Sequence, residues 1–272
     1  SDEISIGTQV VQNGDWTGPA AARIVLRDTG VDFAVLETAR GGILRRGLAV
    51  ESCDAALITN ISDDHLGSYG VDDLAAMTRV KAVVADAVRP AGTVVLNAHD
   101  EKLVALASSL DRAVVFFANL DRDDPAARAV IAGARARGAP SVFAEGGKII
   151  DDTELVVDVA AVPLTFGGAA GYNVENVVGC AAMARALGIG QDAIVRALTT
   201  FQPSDNPRRG QLLERRGVRV LLDFGHNPEG IRGVLQLSAA LRRDRPGRLI
   251  VVAGAAGDRS EHDIAEVAGA IR

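Results

Sequence analysis

Residues 55–67 read Ala55-Ala56-Leu57-Ile58-Thr59-Asn60-Ile61-Ser62-Asp63-Asp64-His65-Leu66-Gly67. A short apolar run breaks into a stretch of amide, hydroxyl, carboxylate and imidazole side chains, the form of a buried strand that empties into a polar loop. The form recurs upstream, where residues 33–36 run into Glu37-Thr38-Ala39-Arg40-Gly41-Gly42. Downstream, residues 220–222 run into Asp223-Phe224-Gly225-His226-Asn227-Pro228. Further β-branched runs at 93–97 and 113–118 complete a set of buried parallel strands. Helical patterns at 17–28, 72–88, 100–110 and 124–137 separate them, and this alternation predicts an α/β doubly wound sheet.

From residue 141 to 166 the apolar runs shorten between Gly146-Gly147 and Asp151-Asp152, which predicts antiparallel hairpins appended to the sheet. Helices should follow at 173–187 and 191–200, with Gly188 as a C-cap after the first. The stretch 202–210, with Pro203, Asp205, Asn206 and Pro207, is the linker candidate. Beyond it a strand at 218–224, a helix at 229–243, a strand at 249–253, a glycine-rich turn and a helix from 261 form the opening half of a Rossmann-like unit. Two domains are expected, 1–203 and 204–272, the second incomplete. A length of 272 residues suits two ordinary cores.

Hydrophobic residues make up 48% and charged residues 24%, the balance of a soluble globular protein. The net charge of -6 and the absence of a basic block argue against nucleic acid as a partner. No apolar run reaches the ~18 residues of a spanning helix, and the N-terminus does not read as a signal peptide, so a cytoplasmic protein without a membrane partner is expected. Cys53 and Cys180 lack metal-type spacing and are expected to be reduced structural thiols. Among 29 basic residues only Lys81, Lys102 and Lys148 are lysines.

Open α/β sheets bind ligands at the carboxyl ends of their strands. There Glu37, Asp64 and His65 form a plausible Mg2+ set, because a hard ion takes carboxylate oxygens and accepts an imidazole beside phosphate. Taken singly, each Asp reads as well as a turn or helix cap, and His65 as a satisfied surface histidine. Lys81 shares a helical face with Leu74, Met77, Val84 and Val88. Its amine must therefore be paired, neutralised or carbamylated, or else snorkel to solvent. The turn Gly254-Ala255-Ala256-Gly257-Asp258-Arg259 could present N–H groups and an arginine to phosphates. Gly146-Gly147-Lys148 reads as a hairpin turn, and no G-x-x-x-x-G-K-[ST], G-x-S-x-G or H-E-x-x-H occurs.

Taken in order, these segments resemble the Mur ligase family, and within it the Mur-like region of cyanophycin synthetases. The run from Val35 through Glu37-Thr38-Ala39-Arg40-Gly41-Gly42 to Leu48 is similar to a segment of that region, and 59–67 resembles the T-N-x-x-x-D-H-L motif, with Gly67 where peptidoglycan ligases usually carry Asp. Gly171-Tyr172-Asn173-Val174-Glu175-Asn176 resembles G-x-H-N-x-x-N with Tyr172 for His. Asn206-Pro207-Arg208-Arg209-Gly210 resembles N-P-G-R-G, 223–228 resembles D-Y-A-H-N-P, and Gly257-Asp258-Arg259 the later G-D-R.

The resemblance implies a Mur-ligase-type central mixed sheet with an antiparallel extension and a Rossmann-like C-terminal domain. It implies an ATP- and Mg2+-dependent ligase that forms an amide bond through an acyl phosphate, with an amino acid such as arginine and a peptide acceptor as substrates. Glu37, Asp64, His65 and Lys81 would serve metal and catalysis. Asn60, Asn173, Asn176, Arg209, Asp223, His226 and Asn227 would contact nucleotide, while Arg40, Asp258 and Arg259 would face the substrates. A homo-oligomer is expected. The family's phosphate loop would precede the segment matching 5–17. A module that binds nucleotide or a partner without catalysis is the competing reading.

Overall fold

The computed structural model describes residues 3–14, 16–62, 67, 69–152, 154–243, 247–254 and 261–271. The chain opens with an antiparallel hairpin, β1 (Glu3–Ile6) and β2 (Gln9–Asn13), followed by α1 (Pro19–Arg27) and α2 (Arg40–Arg46). Pro19 starts α1 where its missing N–H costs nothing. Then come β3 (Cys53–Ile58), α3 (Leu74–Asp86), β4 (Val88–Asn97), α4 (Glu101–Ala107), β5 (Ala113–Asn119), α5 (Pro125–Ala136) and β6 (Ser141–Glu145). Strands β7 (Lys148–Asp151) and β8 (Glu154–Asp158) extend the sheet, and α6 (Gly171–Ala186) and α7 (Gln191–Thr200) follow. The C-terminal unit holds β9 (Gln211–Arg215), β10 (Val218–Leu222), α8 (Pro228–Arg242) and α9 (Glu261–Ile271).

The main sheet has six strands in the order β3-β4-β5-β6-β7-β8, parallel through β6 and antiparallel beyond, the mixed α/β sheet with hairpin extension that the sequence predicts. Each of α3, α4 and α5 begins at an aspartate, Asp73, Asp100 or Asp124, whose carboxylate accepts N–H groups of the first turn, so the three crossovers start at fixed points. Successive side chains of a strand face opposite sides. Val94 and Leu96 accordingly join one core with Met77, Leu103 and Ile131 of α3, α4 and α5. Val95, with Phe117 and Ile149, joins a second core with Val174, Val178 and Ile194 of α6 and α7. Each such fully buried side chain contributes about 1.5–3 kcal/mol. Gly179 brings α6 down onto β5, because a methyl there would sit 3.2 Å from the Phe117 ring. That close approach sets the first turn of α6 over the strand ends.

Two predicted strands do not form. Residues 31–39 carry no ladder, and Phe33 and Val35 are 57% and 84% exposed. Residues 249–253 are likewise unpaired, with Ile250 77% and Val252 93% exposed. An apolar run states a need for burial but not which neighbour supplies it, and β3, at the sheet edge, has no described strand on its free side. Strand β10 pairs instead with β9, an antiparallel hairpin that no pattern above predicts. No helix among the described residues is long and apolar enough to cross a membrane.

Candidate functional site

The parallel strands deliver their polar ends to one edge of the sheet. Asn97 closes β4 and is only 3% exposed. Its Nδ2 donates to the Thr59 carbonyl at 2.9 Å and to Glu175 Oε1 at 2.6 Å, and its Oδ1 accepts the His99 N–H at 2.9 Å. One buried amide thus ties the loop after β3 to the first turn of α6. Arg122 holds the other Glu175 oxygen at 2.5 Å. Asp100, besides capping α4, accepts the Ile61 N–H. Lys81 lies half-buried on α3 near buried Met77, and its Nζ donates to the Asn60 carbonyl at 2.9 Å. The methylene stem lets the amine reach from the helix to the loop just after β3.

His99 is nearly buried. Its Nδ1 lies 2.7 Å from Asp124 Oδ2, and its Nε2 lies 3.1 Å from the Asn119 N–H. The hydrogen bond from His99, with the N–H of Ala127, holds the Asp124 carboxyl below the usual carboxylate range. This pair fastens the ends of β4 and β5 to the start of α5.

A second group gathers where α6 meets the C-terminal unit. Tyr172 Oη lies 3.4 Å from Asp223 Oδ2, and burial, then the Asp223 charge, pushes its phenol well up. A Cβ on Gly233 of α8 would sit 3.0 Å from Tyr172 Cδ1, and one on Gly210 would sit 3.3 Å from its hydroxyl. Arg209 stacks its guanidinium 4.6 Å from the Phe224 ring centre, and Phe224 meets His226 edge-on at 5.3 Å. Asp223 also accepts the Gly225 N–H at 2.7 Å, and Asn227 caps α8 through Gly230. Asn173 Nδ2 donates to the Leu164 carbonyl at 2.9 Å.

Of the residues singled out from sequence, the fold joins Asn60 with Lys81 and brings Asp223 to Tyr172, with Asn173 beside Gly210; Arg209 and His226 both meet Phe224, and Asn227 caps α8. Asn176 is exposed one turn along α6. Glu37 is an exposed carboxylate in the extended segment 31–39, and Arg40 opens α2 half-buried. Asp64, His65, Asp258 and Arg259 lie outside the described residues. Among the described residues no group of three or more His, Cys, Asp or Glu side chains could hold an ion alone. Sequence reasoning missed Asn97, His99, Asn119 and Glu175. The strand-end rule, applied to β4 and β5, points to the first three. Glu175 lies between Asn173 and Asn176, where a carboxylate also reads as an ordinary solvated charge of a helix start.

The Mur ligase middle domain profile matches residues 12–184, and that of the Mur ligase glutamate ligase domain matches 208–272. Cyanophycin synthetase of Synechocystis sp. is 35% identical over 98% of this chain, and that of Geminocystis herdmanii 34% over 97%. The chain spans 30% of the length of each. The UDP-N-acetylmuramoyl-L-alanyl-D-glutamate–2,6-diaminopimelate ligase of Caulobacter vibrioides is 27% identical over 86% of this chain and 45% of its own. In fold, the chain is similar to a MurF structure from Acinetobacter baumannii, with TM-score 0.58 at 18% identity over 83% of this chain and 47% of that one. A point mutant of L. casei FPGS gives TM-score 0.59 at 19% identity over 93% of this chain and 56% of that one.

Proposed function

Because this chain belongs to the Mur ligase family, we propose that it serves an ATP-dependent ligase that joins an amino acid, such as arginine, to a carboxylate of a peptide acceptor. The γ-phosphoryl group of ATP passes to the carboxylate and ADP departs. The incoming amine attacks the acyl carbon, and phosphate leaves as the amide forms. The domain boundary falls between residues 203 and 204, in the turn-rich stretch between α7 and β9.

The observation that carries this reading is the hydrogen-bonded path from Lys81 to the C-terminal unit. The Lys81 amine sits on the Asn60 carbonyl, and Asn97 binds the neighbouring Thr59 carbonyl and Glu175. Glu175 shares the first turns of α6 with Tyr172, which reaches Asp223. A cation at a strand end and nucleotide-type contacts on the facing lobe suit a phosphoryl donor lying between them. Neutralising charge on the transferring group is the main service such a site gives. As an ammonium Lys81 supplies that charge from a fixed position; carbamylated, it would instead join the oxygen ligands that hold Mg2+. Glu37 offers the carboxylate oxygen that Mg2+ takes, and would hold it together with Asp64 and His65. When bound, the ion would neutralise phosphate charge.

The test is release of ADP and phosphate by the full-length gene product given ATP, Mg2+, an aspartate-ended peptide acceptor and arginine, with a panel of other amino acids alongside. Amino-acid-dependent release is expected. Nucleotide binding without turnover on any amino acid would overturn the ligase reading in favour of a non-catalytic module.

A further inference from the structure

The strand-end crevice continues past Asn97 and His99 toward the hairpin extension. At the ends of β5 and β6, Asn119, Asp121, Gly147, Val159, Gly168 and Val174 line a cavity of about 270 Å3 that opens to solvent. Asn119 is 4% exposed. Its Oδ1 accepts the Asp121 N–H at 3.2 Å, which assigns the other arm of the amide as the donor, and that Nδ2 has no partner among the described residues. That Nδ2 lines the open cavity and is not shut off from solvent, so a ligand acceptor can take the place of water on it.

The opposite pole is Asp121. Its Oδ1 accepts the Gly146 N–H at 2.6 Å and its Oδ2 the Gly147 N–H at 3.0 Å, so the β6–β7 turn fixes the carboxylate at the cavity. Each oxygen keeps further acceptor capacity. The first turn of α6 borders the space through Val174, and its N-cap, Ala170, supplies no side-chain acceptor, so the positive end of that helix is not neutralised by a cap. Val159, Ala160 and Val174 make the remaining wall apolar.

We infer that this cavity binds a compact α-amino-acid-type ligand, its acceptor oxygen on Asn119 Nδ2 and its ammonium group on Asp121. A simple anion meets the Asp121 charge, and a simple alkylammonium leaves the Asn119 donor unmade; only a molecule carrying both groups satisfies both poles. The volume suits an amino acid and is small beside the cavities that hold larger ligands. The site goes beyond the ligase reading and does not depend on it.

The test is a titration of the 15N-labelled chain, following the side-chain amide resonances of Asn119, with four probes: glycine, glycinamide, N-acetylglycine and propylammonium. Glycine and glycinamide should shift those resonances saturably, with dissociation constants on the order of a millimolar for ligands so small. N-acetylglycine, which lacks the ammonium, and propylammonium, which lacks the acceptor, should bind about tenfold more weakly or worse. Asn119→Asp keeps the acceptor for the Asp121 N–H but replaces the donor with a carboxylate that repels the ligand oxygen; followed through the backbone amide resonances of Gly147 and Gly168, glycine should bind about tenfold more weakly while propylammonium loses nothing. Should that variant not fold, Asp121→Asn must give the same loss. Resonances unmoved by glycine, propylammonium binding as tightly as glycine, or a folded Asn119→Asp variant that binds like the parent would each overturn the assignment.

Discussion

The Tyr172 hydroxyl stands 3.4 Å from Asp223 Oδ2, so the first turn of α6 grips the strand end of the C-terminal unit through one phenol. The ring lies against Gly233 of α8, where a methyl would come within 3.0 Å, and beside Gly210 of the linker. Glycines at both contacts let the bulky ring enter.

Burial, with Asp223 beside it, raises the Tyr172 phenol above its ordinary value of 10.0. The unfolded chain therefore ionises first as pH rises. The contribution is intact below about pH 10 and is lost as pH climbs toward the folded value. Tyr172→Phe should cost about 0.5–1.5 kcal/mol at neutral pH and lose less on going alkaline, so that the two melting curves converge above about pH 10. Parallel pH profiles would show that Tyr172 stays neutral for no structural reason.

Most of the main sheet was legible because its information is local. The runs at 55–59, 93–97 and 113–118 became β3, β4 and β5, and Asp73, Asp100 and Asp124 start the helices between or after them. What failed was pairing, which is not local. Residues 33–37 and 249–253 are as apolar as β3 and yet lie unpaired, whereas the exposed Gln9–Asn13 strand has no alternation to betray it. The site divides the same way. Helical periodicity placed Lys81 on the apolar side of α3, and its amine escapes to a strand end from there. The Asn97–Glu175 contact joins residues 78 positions apart, and no spacing rule reaches that far.

Lys81→Ala should abolish ligation and leave the fold intact. The side chain is only half-buried, so the stability loss should stay within ~1 kcal/mol, whereas removing a fixed cation from a phosphoryl-transfer site costs on the order of 100- to 1000-fold in turnover. Phosphate release and melting temperature, measured on the same preparation, separate the two effects. An alanine variant that keeps a tenth of the parental rate would take Lys81 out of the mechanism.

Asn97 is a buried donor shared between Glu175 and the Thr59 carbonyl. Asn97→Leu leaves both acceptors unmade and should destabilise by about 1–3 kcal/mol. Asn97→Asp keeps the shape but sets a second carboxylate against Glu175, so at pH 7 it should be the worse of the two. Acidification should narrow the gap as the carboxylates protonate. Urea unfolding at both pH values checks the order, and equal losses at pH 7 would mean that the amide merely fills space.

The last prediction concerns acid. Asp124 accepts from His99 and from the Ala127 N–H, and both hold its carboxyl below the ordinary 3.8. A depressed folded value means that the unfolded state takes up the proton first, so the stabilisation is whole above about pH 4 and disappears as pH falls through the folded value. Asp124→Asn keeps an acceptor for the helix cap but carries no charge to titrate. Its melting temperature should start lower than the parent's near neutrality and fall less between about pH 5 and pH 3, since part of the parent's acid loss belongs to this carboxylate. His99→Gln, which removes the imidazole hydrogen bond but leaves Asp124 and the cap, should flatten the acid slope only in part. If all three proteins lose stability along the same slope, the His99–Asp124 contact does not couple the ends of β4 and β5 to proton uptake.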